Sequence, residues 1–81
     1  MSKHDKLVQR IFNGKADVAP SEAVNILEKL GYRASSTSGS HRTFRKSDRP
    51  SITIVLTQNP LKPYLVEKLQ EALKQEGYQN D

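Results

Sequence analysis

In the stretch Gly39-Ser40-His41-Arg42-Thr43-Phe44-Arg45-Lys46 an imidazole follows a small-residue turn and stands among cations. Histidine, with an unperturbed pKa of about 6.5, can take and return a proton near neutrality. Arginine presents a planar fork of donors that matches phosphate oxygens. Together they suit acid–base chemistry at a phosphodiester. RNA supplies its own nucleophile, the 2′-hydroxyl. A protein that removes that proton and steadies the charge on phosphorus needs one proton-transfer group and a few cationic donors. His41 with Arg42, Arg45, Lys46 and Arg49 meets that minimum, and Gly39 leaves room for a ligand to approach the backbone. On these residues alone, a solvated histidine on a basic strand remains the alternative.

Other chemistries find little support. The chain has no cysteine, which removes disulfides, thiol nucleophiles and cysteine-based zinc sites. Asp48 is the one carboxylate near His41 in sequence, so no metal-binding carboxylate cluster is expected and no cofactor is called for. Ser40 beside His41 is a chain neighbour, not a catalytic pair. The glycines are too scattered for a phosphate-binding loop. His4 lies in a charged segment and reads as solvated, and Tyr32, Tyr64 and Tyr78 read as core or rim residues rather than base-stacking platforms.

Charge placement says more than the net charge of +4. Arg33, Arg42, Arg45, Lys46 and Arg49 face only Asp48 within their segment, and the remaining eight basic and eight acidic residues cancel. The positive field therefore comes from one arginine-rich stretch, and nucleic acid is the simplest polyanion to meet it. A chance surplus of surface cations is the competing reading. The N-terminal residues contain no apolar stretch of signal-peptide type, and Ile54-Val55-Leu56 is far too short to cross a bilayer, so a cytoplasmic protein without membrane contact is expected.

Eighty-one residues suit one domain, 1–81. Residues 2–13 read as a short helix, with Ser2 as cap, Leu7, Val8, Ile11 and Phe12 on one side, and Asn13-Gly14 ending it. Ser21 is the expected cap of a second helix, 21–30, whose stripe is Ala23, Val24, Leu27 and Leu30 and whose end is Gly31. Strands are expected at 32–36, 41–46 and 51–56, with turns at Thr37-Ser38-Gly39-Ser40 and Ser47-Asp48-Arg49-Pro50. Pro63 opens a last helix, 63–76, with Leu65, Val66, Leu69, Ala72 and Leu73 on its apolar stripe. The order α-α-β-β-β-α predicts a two-layer α+β domain, its helices 21–30 and 63–76 on one face of an antiparallel sheet. Phe44, Ile52, Ile54, Leu27, Leu65 and Leu69 should then be buried together. Alternation along the middle strand turns Phe44 inward, with Arg42 and Lys46 at the rim, and turns His41, Thr43 and Arg45 to the open face.

These residues resemble a known family. Gly39-Ser40-His41-x-x-Phe44 followed by Arg45 and Lys46 is similar to the signature strand of HicA-type toxins. Glu28-Lys29-Leu30-Gly31-Tyr32, Ile52-Thr53-Ile54 and Leu61-Lys62-Pro63-Tyr64-Leu65-Val66 follow in the family's order, so that the likeness runs from about 21 to 77, the core, with 2–13 as an extra N-terminal helix. The chain departs from the family in the turn before the third strand, which reads Ser47-Asp48-Arg49-Pro50 where Asp-Gly or Pro-Asp-Gly is usual, and this leaves the register between the second and third strands open. The resemblance implies a fold like the double-stranded-RNA-binding domain. It implies the toxin of a type II toxin–antitoxin system, which cleaves mRNA and blocks translation and whose functional histidine corresponds to His41. Joined to the chemistry of the residues above, this makes a metal-independent endoribonuclease the expectation, with His41 as general acid/base and Gly39, Ser40, Arg42, Arg45, Lys46 and Arg49 as RNA-binding residues. It further implies a HicB-type antitoxin that covers the histidine and through which oligomers chiefly form. A non-catalytic RNA-binding module of the same shape is the alternative, and a protein-interaction domain with a basic face is a third reading.

Overall fold

The computed structural model describes residues 3–13 and 17–78. Three helices and three strands follow in the expected order: α1 Lys3–Asn13, α2 Pro20–Lys29, β1 Arg33–Ser38, β2 His41–Arg45, β3 Ile52–Val55 and α3 Pro63–Gln75. The strands form one antiparallel sheet in the order β1-β2-β3, and the architecture is α+β. The proposed caps at Ser2 and Gly14, and the side chain of His4, lie outside the described residues.

Helix α2 begins one residue before the expected cap. Ala19 is the N-cap and Pro20 the first helical residue, a position where proline loses no hydrogen bond and its fixed φ suits the helix. Glu22 reaches back to accept the Ala19 N–H at 3.0 Å, so the cap is closed from inside the helix rather than by Ser21. At the other end Gly31 takes φ +94°, the Tyr32 N–H donates to the Leu27 carbonyl at 2.9 Å and the Gly31 N–H to that of Glu28 at 3.1 Å. This crossed pair satisfies carbonyls that the helix would otherwise strand, and a side chain on residue 31 would oppose the left-handed φ. Helix α3 ends in the same way through Gly77 and Tyr78, which bond to Lys74 and Leu73.

The apolar stripes converge. Phe44, Ile52, Ile54, Leu27, Leu65 and Leu69 all belong to one buried core. Leu7, Val8, Ile11 and Phe12 of α1 join it, so the N-terminal helix is part of the core rather than an appendage. Gln70 of α3 donates to the Ile11 carbonyl at 2.7 Å, and Arg10 pairs with Glu22 of α2 at 2.9 Å. Burial also reaches residues outside any stripe. Val18 and Leu61 come from the two connectors, and their backbones join through the Leu61 N–H and the Val18 carbonyl at 2.8 Å. Ile26, absent from the expected α2 stripe, is fully buried.

Strand β1 runs two residues further than expected. Thr37 and Ser38 pair with Arg42 and His41, which leaves only Gly39-Ser40 as the loop. Gly39 has φ +58° and Ser40 has no positive φ, the pattern of a two-residue hairpin loop whose first position favours glycine. Lower in the same ladder, Ala34 pairs with Phe44 and Ser36 with Thr43, so Ser35 is an unpaired bulge residue. The β2–β3 ladder is regular from His41↔Val55 to Phe44↔Ile52. In the turn between them Asp48 takes φ +62°, a left-handed conformation that Asp tolerates better than most residues other than glycine.

Candidate active site

The site begins with the alternation of β2. Phe44 is buried, and its neighbours Thr43 and Arg45 therefore face the other way, as does His41. His41 is exposed, while its backbone is held on both sides by pairing with Ser38 and Val55. The Leu56 N–H extends the ladder by donating to the Ser40 carbonyl at 2.7 Å. An exposed imidazole thus stands on a fixed piece of backbone, beside the Gly39-Ser40 loop. Its side chain has no hydrogen-bond or ion-pair partner among the described residues.

Register sets three rungs across this outer face. The first is Ser38–His41–Val55, the second Ser36–Thr43–Thr53, and the third joins Arg33 to Arg45. Successive rungs lie two residues apart along β2, roughly 7 Å. In the second, the Thr43 and Thr53 hydroxyl oxygens are 3.0 Å apart and hydrogen-bonded. The third puts two exposed guanidinium groups opposite each other with no carboxylate partner among the described residues, an arrangement that costs stability unless an anion joins it.

The basic segment divides in two. Arg42 lies on the Phe44 side, half-buried opposite Ile54, and so leaves the face that carries His41. Lys46 and Arg49 are committed elsewhere. The Lys46 Nζ donates to the Leu30 carbonyl at 2.7 Å and to Glu76 Oε1 at 2.5 Å. Arg49 reaches Glu76 Oε2 at 3.3 Å and the Gln75 carbonyl at 3.4 Å. These two cations bind the β2–β3 turn to the ends of α2 and α3. The hydrogen bond from Lys46 holds the Glu76 carboxyl below its usual range against an opposing desolvation, and the charges of Lys46 and Arg49 add to that.

Of the expected site residues, the structure gathers His41 and Arg45 on one face beside the Gly39-Ser40 loop, places Arg42 on the other, and engages Lys46 and Arg49 with Glu76. Arg33, Thr53 and Glu76 were not singled out. Arg33 had a signal in the charge count; Thr53 read only as a strand former, and Glu76 is 30 residues from Lys46. Tyr32 is buried, which raises its hydroxyl pKa, and it is not on the sheet face that carries His41 but in the lining of a separate groove. A groove of about 710 Å³ runs between β3 and α3, lined in part by Pro50, Ile52, Tyr64, Lys68 and Ala72, and none of the expected site residues borders it. Among the described residues no three His, Cys, Asp or Glu side chains gather where they could hold a metal ion, and no helix is long and apolar enough to cross a membrane.

The result is a small α+β domain with a cation-edged sheet face that carries an exposed histidine. A family model described as the HicA toxin of bacterial toxin–antitoxin systems matches residues 20–78, and the chain belongs to that family. Membership makes it a toxin with a cognate antitoxin as partner. The match begins at α2, although α1, outside it, fills part of the same core. No curated protein and no solved structure matches the chain.

Proposed function

We propose that this toxin is a metal-independent endoribonuclease that cleaves mRNA, with His41 as its general acid/base. The observation that carries the reading is the exposed imidazole of His41 on the same sheet face as Arg33 and Arg45, none of the three having a carboxylate partner among the described residues. His41 takes the proton of a ribose 2′-hydroxyl, and the O2′ attacks the adjacent phosphorus. The P–O5′ bond breaks, and the leaving oxygen receives a proton from the imidazolium. The products are a 2′,3′-cyclic phosphate and a 5′-hydroxyl, and the histidine is restored. Arg45, with Arg33 beside it, holds backbone phosphate on this face, and the Gly39-Ser40 loop gives the chain room to pass. Arg42 reaches phosphate from the rim. Lys46 and Arg49, expected from sequence to bind RNA, act first as ties to Glu76.

The antitoxin is of HicB type and places bulk over His41, because covering an open face is the simplest way to stop a nuclease built on it. Oligomers form chiefly through that partner, and the pair acts in the cytoplasm, where mRNA is met.

The test is to incubate the purified protein and its His41→Ala variant with mRNA in EDTA and to analyse the fragment ends. Cleavage by the unaltered chain alone, leaving 2′,3′-cyclic phosphates, is expected. General acid–base catalysis is worth about 10²–10⁴ in rate, so the variant should fall by that factor. Undiminished cleavage by the variant places the chemistry elsewhere. Salt-dependent RNA binding without cleavage would leave an RNA-binding module.

A further inference from the structure

We infer that the Thr43–Thr53 hydroxyl pair is a binding site for a ribose 2′-hydroxyl, one that recognises RNA by its sugar one nucleotide away from His41. The inference rests on the RNA-cleaving reading above and adds a site to it.

The two side chains come from neighbouring strands in direct register and share the outer face with His41. Both are half-exposed. Their oxygens are 3.0 Å apart, and either can be the donor. Neither hydroxyl has another partner among the described residues. Two hydroxyls hold two O–H donors and four lone pairs. The bond between them uses one donor and one lone pair, so the pair always presents one free donor together with free acceptors, whichever way it points. Threonine is stiff at its first side-chain torsion, and both backbones are fixed in the ladder, so these groups are held ready.

A group that donates and accepts at once is best met by one that does the same. A ribose 2′-hydroxyl does; a phosphate oxygen only accepts. Phosphate on this face already has a better match one rung further, at Arg33 and Arg45. Spacing agrees as well. The threonine rung lies roughly 7 Å from the His41 rung, two residues along a strand, which is about one nucleotide step of a nucleic-acid backbone. An RNA strand laid along β2 with its reacting ribose at His41 brings the next ribose over Thr43 and Thr53, and its phosphates onward to the arginines.

A cross-strand threonine pair also stabilises a sheet, and the experiment separates the two roles. The chain carrying His41→Ala, which leaves RNA whole, is titrated with an RNA oligonucleotide and with its uniformly 2′-fluoro counterpart, which keeps the RNA-like sugar pucker and loses the donor. RNA should bind about three- to tenfold tighter, in the range one or two neutral hydrogen bonds supply. Thr43→Val with Thr53→Val, nearly isosteric and strand-compatible, should bring the ratio to one, whereas Thr43→Ser with Thr53→Ser should restore it. A melting curve of each variant shows whether it is folded, and the comparison of the two oligonucleotides on the threonine-bearing chain needs no threonine variant. Equal affinity for both oligonucleotides on that chain, or a preference that survives in the folded valine variant, overturns the inference alone. Binding to neither oligonucleotide overturns it together with the RNA-directed reading. An absence of cleavage in the unaltered chain touches only the catalytic reading, since the sugar preference is measured by binding.

Discussion

Truncating Phe44 to alanine should unfold much of this protein, although its neighbour three residues back can be removed with little effect. Phe44 is only 1 % exposed, at the centre of the core and on the strand that carries His41. A buried phenylalanine cut to alanine costs about 3–5 kcal/mol, the lost transfer of its ring plus the cavity left behind. A chain of 81 residues has about 4–12 kcal/mol of stability in total. The substitution therefore takes about a quarter of the whole or more. For domains of this size each kcal/mol moves Tm by about 4–8 °C, which gives a fall of at least about 12 °C. Thermal unfolding followed by circular dichroism measures it, with a return scan to establish reversibility. RNA cleavage should be lost in parallel with the folded fraction and return on cooling, since Phe44 does not reach the outer face. A Tm shift under about 4 °C would refute the placement of Phe44 against the helices, and with it the argument that alternation presents His41 to solvent.

His41→Ala, by contrast, should leave the unfolding free energy within about 0.5 kcal/mol, as exposed substitutions usually do, and circular dichroism should show an unchanged fold. Arg45→Ala should reduce the dependence of log affinity for single-stranded RNA on log salt by roughly 0.7, one phosphate contact, whereas Lys46→Ala should leave that slope nearly unchanged and lower Tm instead. Glu76 titrates lower in the folded chain than the ordinary carboxylate value of about 4.3, chiefly because it accepts a hydrogen bond from Lys46. The unfolded chain then binds its proton more readily, so this contribution is fully present above about pH 4.3 and is lost as pH falls through the lower folded value. Melting curves of the unaltered chain and Glu76→Gln taken through the acid range should converge as pH falls, and parallel curves would count against the Lys46–Glu76–Arg49 tie.

The helices were legible because period and punctuation agreed. The α3 stripe, its opening at Pro63 and its end at Gly77 are all local signals, and each marks the place where the helix does what was expected. The face of β2 was legible for a similar reason, since one phenylalanine among polar residues fixes which way the strand turns. Strand β1 was not. Arg33-Ala34-Ser35-Ser36-Thr37-Ser38 is exposed along its length, so no inside–outside pattern marked its end or its bulge. Arginine content alone could not divide the basic segment either. Arg45 and Arg49 look alike in sequence, and what separates them is Glu76, brought close only by the return of α3. Val18 and Leu61 were missed because connectors have no period to betray a buried residue.

The unpaired Ser35 has a meaning for how this hairpin tolerates insertions and deletions. Below it, Ala34 sits opposite inward-facing Phe44; above it, Ser36 and Ser38 sit opposite outward-facing Thr43 and His41. The bulge thus shifts the odd–even frame of β1 by one, as a frameshift does a reading frame. Losing one residue between Ala34 and Gly39 would remove the bulge and nothing else, because the ladder then runs regularly with Ala34 still opposite Phe44 and glycine still in the loop. Losing two would force a fault: either Ala34 slides opposite outward-facing Thr43, or glycine leaves the one loop position with a left-handed φ. Lineages of this protein should therefore differ in β1 by the one bulge residue but not by two.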